Sequence, residues 1–279
     1  MKKKKMTAIL LTVVLAGMLA AGCGSAQDGK KEVSADTQKT QEKSKEEPTE
    51  LLIAAAASLE YSYEDELIPM FEKANPDITV KGTYDSSGKL QTQIEEGIEA
   101  DIFMSAAAKQ MNALAEENLV DKDSIVNLLE NKIVLITPAD TELELKEFTD
   151  ITKAETIGIG DPASVPVGQY AQESLTNLGL WEAVSEKASL GTNVTEVLNW
   201  VAEGSADAGI VYATDAATTD RVKVVAEAPA DSLAEPAIYP VGIVTASKNK
   251  EAAQKFVEFL QSEEAVKVFE EYGFIEYNK

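Results

Sequence analysis

The 279-residue chain contains no histidine. That absence removes the commonest general base, the Ser-His-Asp arrangement and the usual zinc ligand set together. Arginine is nearly missing as well, so bidentate guanidinium recognition of phosphate could draw on Arg221 alone. Basic residues number 25 against 48 acidic ones, a formal net charge of −23. Without the four lysines at 2–5, which belong to an expected leader, 21 basic residues face 48 acidic ones and the charge is −27. Such a field disfavours nucleic acid and anionic lipid headgroups, and no nucleic-acid partner is expected. Cysteine occurs once, as Cys23, and its position rather than its chemistry explains it.

Lysines at 2–5 form a basic n-region, residues 8–21 an apolar stretch, and Ala20-Ala21-Gly22 the small residues that a signal peptidase needs. The stretch is shorter than the roughly 20 residues that span a bilayer. A small residue directly before a lone cysteine resembles the bacterial lipoprotein processing site, with Ala20 where leucine is usual. Residues 1–22 are therefore expected to be removed, Cys23 to be acylated, and 24–49 to be a disordered tether. That tether is rich in Lys, Glu, Gln, Ser, Thr and Asp and has too few apolar groups to offset its ordering entropy.

From residue 50 onward strand-like runs alternate with helical patterns, which argues an α/β architecture with largely parallel sheets. Strands are predicted at 51–57, 78–82, 101–104, 133–136, 156–160, 208–212, 222–225 and 238–244. Helices are predicted at 63–74, 90–96, 109–118, 169–178, 195–202, 250–261 and 263–272, with Pro69 kinking or restarting the first of them. A chain that starts one α/β unit, builds a second and ends in two helices closes back on the first unit. Lobe I is expected at 50–131 plus 238–279 and lobe II at 132–237, with a ligand between them at the carboxyl ends of the strands.

One construction recurs: an apolar strand runs into a small or hydroxyl-bearing corner and a helix starts at once. It is found at Ser58, at Ser86-Ser87-Gly88 and at Val165-Pro166-Val167-Gly168. Helix N-termini offer unpaired N–H donors and the positive end of a dipole, so several aimed at one cleft would hold an anion without a charged side chain. A phosphate-loop reading of Ser86-Ser87-Gly88-Lys89 fails, because Leu90 stands where Ser or Thr should bind magnesium. Ser58 reads otherwise as an N-cap and Tyr212 as a packed aromatic at a strand end. Asp161 and Asp215 are read as caps or lobe-to-lobe contacts, since a carboxylate would repel an anion.

Four ordered motifs carry a resemblance: Ala55-Ala56-Ala57-Ser58-Leu59; Ser86 to Leu90 with Gln93-Ile94-Glu95-Glu96-Gly97 and 100–106; Gly160-Asp161-Pro162 with 165–171; and Gly209-Ile210-Val211-Tyr212 with Asp215-Ala216. Together with Tyr272-Gly273-Phe274 they make residues 50–277 similar to the molybdate-binding proteins of bacterial ABC importers, which have a two-lobed type II periplasmic-binding-protein fold. The resemblance implies a lipid-anchored, monomeric, non-enzymatic receptor on the extracytoplasmic face. It would capture molybdate or tungstate and deliver it, with no cofactor, to a membrane permease served by a cytoplasmic ATPase. It further implies Ser58 and Ser87 as oxyanion contacts in lobe I and Val167, Val194 and Tyr212 in lobe II, the two valines acting through main-chain N–H. Gly88 departs from the family, where serine is frequent. The alternatives are a receptor for sulfate or another tetrahedral oxyanion and, from another class, a Ser/Lys hydrolase built on Ser87 and Lys89.

Overall fold

A computed structural model of the chain describes residues 48–278. The expected leader 1–22, the acylated Cys23 and the tether up to residue 47 lie outside the described residues. The chain opens with β1 (Thr49–Ala56), a 3₁₀ turn at Ala57–Leu59, α1 (Glu60–Ser62), a π-helical stretch at Tyr63–Leu67 and α2 (Ile68–Ala74). Pro69 lies in the first turn of α2, and the wider π turn before it makes room for the ring, so the proline restarts the helix instead of ending it. Then follow β2 (Ile78–Asp85), α3 (Ser87–Glu95), β3 (Ile102–Met104), α4 (Ala108–Glu116) and β4 (Val126–Asn131).

A second set comprises β5 (Ile133–Pro138), β6 (Ile157–Gly160), α5 (Pro166–Asn177), α6 (Trp181–Ser185), β7 (Ala188–Gly191), α7 (Val194–Ala202), β8 (Ala208–Tyr212), α8 (Ala213–Ala217) and β9 (Val222–Glu227). The chain ends in β10 (Ala237–Ile243), α9 (Lys250–Leu260), α10 (Glu263–Glu271) and β11 (Ile275–Glu276). β4, β7, β11, α1, α6 and α8 have no counterpart in the sequence pattern. β7 is an edge strand with two of its four residues exposed, and α6 and α8 are five residues each, too short to show a period.

Two sheets result, ordered β11-β4-β10-β3-β1-β2 and β7-β6-β8-β5-β9, each the centre of one α/β lobe. They are mixed rather than uniformly parallel, for a reason of connectivity. β4 ends at the cleft with Asn131, and after Lys132 alone β5 starts at the cleft side of the other sheet, Ile133 opposite Tyr212. β10 likewise starts at the cleft, Ala237 opposite Asn131. Each strand that follows a crossing must run away from the cleft, antiparallel to neighbours that run toward it. β1, β2 and β3 pair in parallel, as do β6, β7 and β8, and their carboxyl ends face the gap between lobes.

The core follows the period of the strands. In β1, Leu51, Ile53 and Ala55 pack on the side of Tyr63, Phe71, Phe256 and Phe269, while Ala54 faces Leu90, Phe103, Met111 and Leu114 under α3 and α4. In lobe II, Val197 and Val201 of α7 press on Gly158 of β6 and Gly209 of β8, where an added Cβ would lie 3.1 and 2.8 Å from a valine methyl. Helix α5 comes closer still: a Cβ on Gly168 would overlap the carbonyl of Gly160. Glycine at 168 therefore sets how tightly the start of α5 sits on the end of β6.

Candidate functional site

Five strand ends deliver their next residues to one place between the lobes. β1 leads to the turn that carries Ser58, and β2 leads through Ser86, the N-cap of α3, to Ser87 at its first position. In lobe II, Val165 is the N-cap of α5, so Pro166 and Val167 open that helix, and Asn193 caps α7 with Val194 as its first residue. Tyr212 closes β8. All five residues singled out in the sequence, Ser58, Ser87, Val167, Val194 and Tyr212, line a single cavity of about 10 Å³, together with Asp85, Ser86 and Ala106. That volume is about one water molecule. Larger concavities, of about 650 Å³ beside Asp101 and Ser247 and about 290 Å³ beside Asn131 and Lys132, have no such convergence of hydroxyls and helix starts from both lobes.

Hydrogen bonds from behind hold the hydroxyls of the cavity. Asn131 accepts the N–H of Lys132 at Oδ1 (2.9 Å), which orients its amide, and Nδ2 donates to Thr214 Oγ1 (2.8 Å) and to the Tyr239 hydroxyl (3.2 Å). Tyr239 in turn lies 2.9 Å from Ser58 Oγ. The tyrosine oxygen accepts from Asn131, and either hydroxyl of the Tyr239–Ser58 pair can donate to the other. Ser87 Oγ accepts the N–H of Ala106 (3.0 Å) and is free to donate. The Tyr212 hydroxyl crosses between lobes and donates to the carbonyl of Ala106 (3.0 Å). Burial holds the Tyr212 and Tyr239 hydroxyls well above the ordinary tyrosine range, so both stay protonated.

The main-chain donors of lobe II come from helix starts. First-turn N–H groups have no intrahelical partner, and the Asn193 side chain takes only that of Glu196 (2.9 Å). Val194 and Val167 thus line the cavity at helix positions whose N–H groups have no intrahelical acceptor. Lys89 ties its ammonium to Asp85 at 3.1 and 3.3 Å, away from Ser87, whose partner is Ala106. The Ser87/Lys89 hydrolase arrangement is therefore not formed. Asp161 accepts from Ala163 N (2.9 Å) and Asp215 from Tyr212 N (3.1 Å), so both carboxylates hold local turns. Burial pushes the Asp215 carboxyl up to about 7 against the pull of the Tyr212 N–H.

The lobes touch directly around this cavity. Gly88 N donates to Ser164 O (2.9 Å), Gln110 Nε2 to Gln169 Oε1 (3.2 Å), and Asn193 Nδ2 approaches Asp85 Oδ1 (3.4 Å). A Cβ at position 88 would overlap the Ser164 carbonyl oxygen, so glycine there permits the approach. Tyr239, Asn131 and Ala106 were not foreseen. Tyr239 sits in a strand whose register shifts beside Pro240, a break in pairing that marks a re-aimed side chain, and the Tyr-Pro pair was its one available signal.

Residues 51–275 match the family of bacterial extracellular solute-binding proteins. The chain belongs to that family. It is 40% identical over 270 residues, 97% of this chain and 98% of the relative, to a Bacillus subtilis protein named "Putative ABC transporter substrate-binding lipoprotein YvgL". It is 41% identical over 209 residues, 73% of this chain and 82% of the relative, to the molybdate-binding protein ModA of Haemophilus influenzae. The periplasmic molybdate-binding protein of Azotobacter vinelandii shares the fold, with a TM-score of 0.72 at 22% identity over 82% of this chain and all of that one. The two-lobed architecture is thus that of extracellular solute-binding proteins. Among the described residues no helix is long and apolar enough to cross a membrane.

Proposed function

We propose that this solute-binding protein captures molybdate or tungstate outside the cytoplasm and hands it to an ABC permease with its ATPase, held at the membrane by a lipid on Cys23. The observation that carries the reading is the single cavity lined from both lobes by the uncharged Ser58, Ser87, Val167, Val194 and Tyr212; the one charged residue in its lining, Asp85, has its carboxylate taken up by Lys89 and the Ser86 N–H. Lobe I, 50–131 with 238–279, supplies the serine hydroxyls. Lobe II, 132–237, supplies main-chain N–H groups and the tyrosine. Ser87 already accepts the N–H of Ala106, so it turns its proton to the ligand, and Ser58 is held in place by the Tyr239 hydroxyl. A donor set of this kind suits a fully ionised tetrahedral dianion and gives hydrogen phosphate no good acceptor for its proton. The same local dipoles explain how a chain of net charge −23 holds an anion: the repulsion is spread over the surface and screened by salt.

A cavity of about 10 Å³ is smaller than any tetrahedral oxyanion, so entry requires the lobes to part. The two crossings, Lys132 and residues 228–236, are the hinge of that motion. Parting breaks the Gly88–Ser164 and Tyr212–Ala106 bonds and frees the Tyr212 proton for the ligand. Titration calorimetry of the purified protein with molybdate, tungstate, sulfate and phosphate tests this reading. Molybdate and tungstate should bind at micromolar protein and phosphate should not; a preference for sulfate would replace the assignment, and no heat with any oxyanion would end it.

A further inference from the structure

Among the described residues four buried side-chain atoms lack a hydrogen-bond partner: Ser86 Oγ, Gln110 Oε1, Thr137 Oγ1 and Gln169 Nε2. Gln110 and Gln169 are the two halves of one amide pair between the lobes, and Thr137 lies in β5, away from the cavity. Ser86 is the one that lines the cavity.

Its backbone is fully engaged. Ser86 N donates to Asp85 Oδ1 (2.8 Å), and its carbonyl accepts from Leu90 N (3.1 Å) as the first bond of α3. With φ −61° and ψ 141° it has the extended geometry of an N-cap, a position where serine ordinarily returns its hydroxyl to an N–H of the first turn. Here it makes no such bond, and the N–H of Gly88 in that turn goes to Ser164 of the other lobe. The residue is only 3% exposed, so its hydroxyl has left water without gaining a partner inside the protein. Buried hydroxyls are rarely left in that condition unless something else satisfies them.

We propose that Ser86 Oγ is a third serine contact to the bound oxyanion, beside Ser58 and Ser87, and that the cost of burying it free is recovered when the anion arrives. The inference rests on the oxyanion reading of the cavity. Unlike Ser58 and Ser87, this hydroxyl has no fixed acceptor or donor duty, so it adjusts to the ligand. A hydrogen bond to a charged group lost at this position should weaken binding by roughly 10- to 100-fold. Removing a hydroxyl that has no partner should not lower the stability of the ligand-free protein.

Those two effects have opposite signs, which separates a ligand contact from a structural cap. The test is Ser86→Ala in the full chain, with calorimetric titration of molybdate and tungstate and thermal melting of the ligand-free protein, beside the unsubstituted protein. Expected are an affinity at least 10-fold weaker and a melting temperature unchanged or raised. Affinity within twofold of the original overturns the contact. A melting temperature several degrees lower, with the affinity lost in proportion, makes Ser86 a cap and also overturns it. If the unsubstituted protein itself binds neither oxyanion, the reading of the cavity fails first and the inference falls with it.

Discussion

The two sides of the cavity solve one problem with different chemistry. Lobe I presents serine hydroxyls, and two of them are oriented from behind: Ser58 by Tyr239 and Asn131, Ser87 by the N–H of Ala106. Lobe II presents the helix starts at Val167 and Val194, where the donor is the backbone and the side chain is buried packing. The difference teaches that the first side depends on residue identity and a hydrogen-bond relay, whereas the second depends on where two helices begin. A hydroxyl can be deleted by a one-atom change; an N–H is removed only by proline.

The largest expected effect attacks the second side. Val194 is the first residue of α7, a position where proline fits a helix, and Asn193 before it is extended (φ −156°, ψ 174°) as proline requires. Val194→Pro therefore removes the N–H while keeping the helix, and should weaken oxyanion binding roughly 100-fold, the loss of a hydrogen bond to a charge together with its orientation. Val194→Ala keeps the donor and should bind nearly as the original. Equal losses in the two variants would mean that the side chain, not the backbone, matters on this side.

A smaller effect is expected on the first side. Tyr239→Phe cuts the relay, so Ser58 and Asn131 each lose a hydrogen-bond partner. A net loss of about 1 kcal/mol per hydrogen bond corresponds to a roughly fivefold weaker affinity. Titration of Tyr239→Phe against Ser58→Ala checks it. If Tyr239→Phe costs nothing while Ser58→Ala costs much, the serine needs no support from behind.

A separate effect, on stability rather than on binding, concerns pH. Asp215 accepts the N–H of Tyr212, and its carboxyl is raised by burial from the ordinary 3.8 to about 7. Between those values the folded chain holds a proton that the unfolded chain has released, so stability falls as pH rises from about 4 to about 7 and is level above that window. Asp215→Asn keeps an acceptor for Tyr212 and has no proton to lose. Its melting temperature should vary less over that range, as scans between pH 4 and 8 would show; an unchanged slope would place the titration elsewhere.

Much of the fold was legible because its periods are strong. The apolar run before Ser58 and the run ending in Tyr212 became β1 and β8, and Pro166 with Val167 opened α5 as the corner predicted. The segment 126–131 was not read as a strand: Val126-Asn127-Leu128-Leu129-Glu130-Asn131 has neither alternation nor a continuous apolar run, and β10 beside it supplies the order. The hydroxyls of the cavity were visible as residue types. Val167 and Val194 became candidates only through likeness to a family, since nothing in a valine announces a free N–H.

By itself the sequence determined the donor chemistry. With no histidine and a single arginine, imidazole and guanidinium pairs are excluded, and serine at two of the corners offers neutral hydroxyls beside the helix starts. It also determined where helices begin, through Pro166, Asn193 and Ser86. Tertiary structure alone decided which donors share one cavity, because residues 58 and 212 meet only when two sheets are joined by their crossings. It decided, too, which groups hold each hydroxyl in place. Hydrogen bonds are directional over about 3 Å, and partners such as Ser58 and Tyr239, 181 residues apart along the chain, come within that reach only in the folded protein.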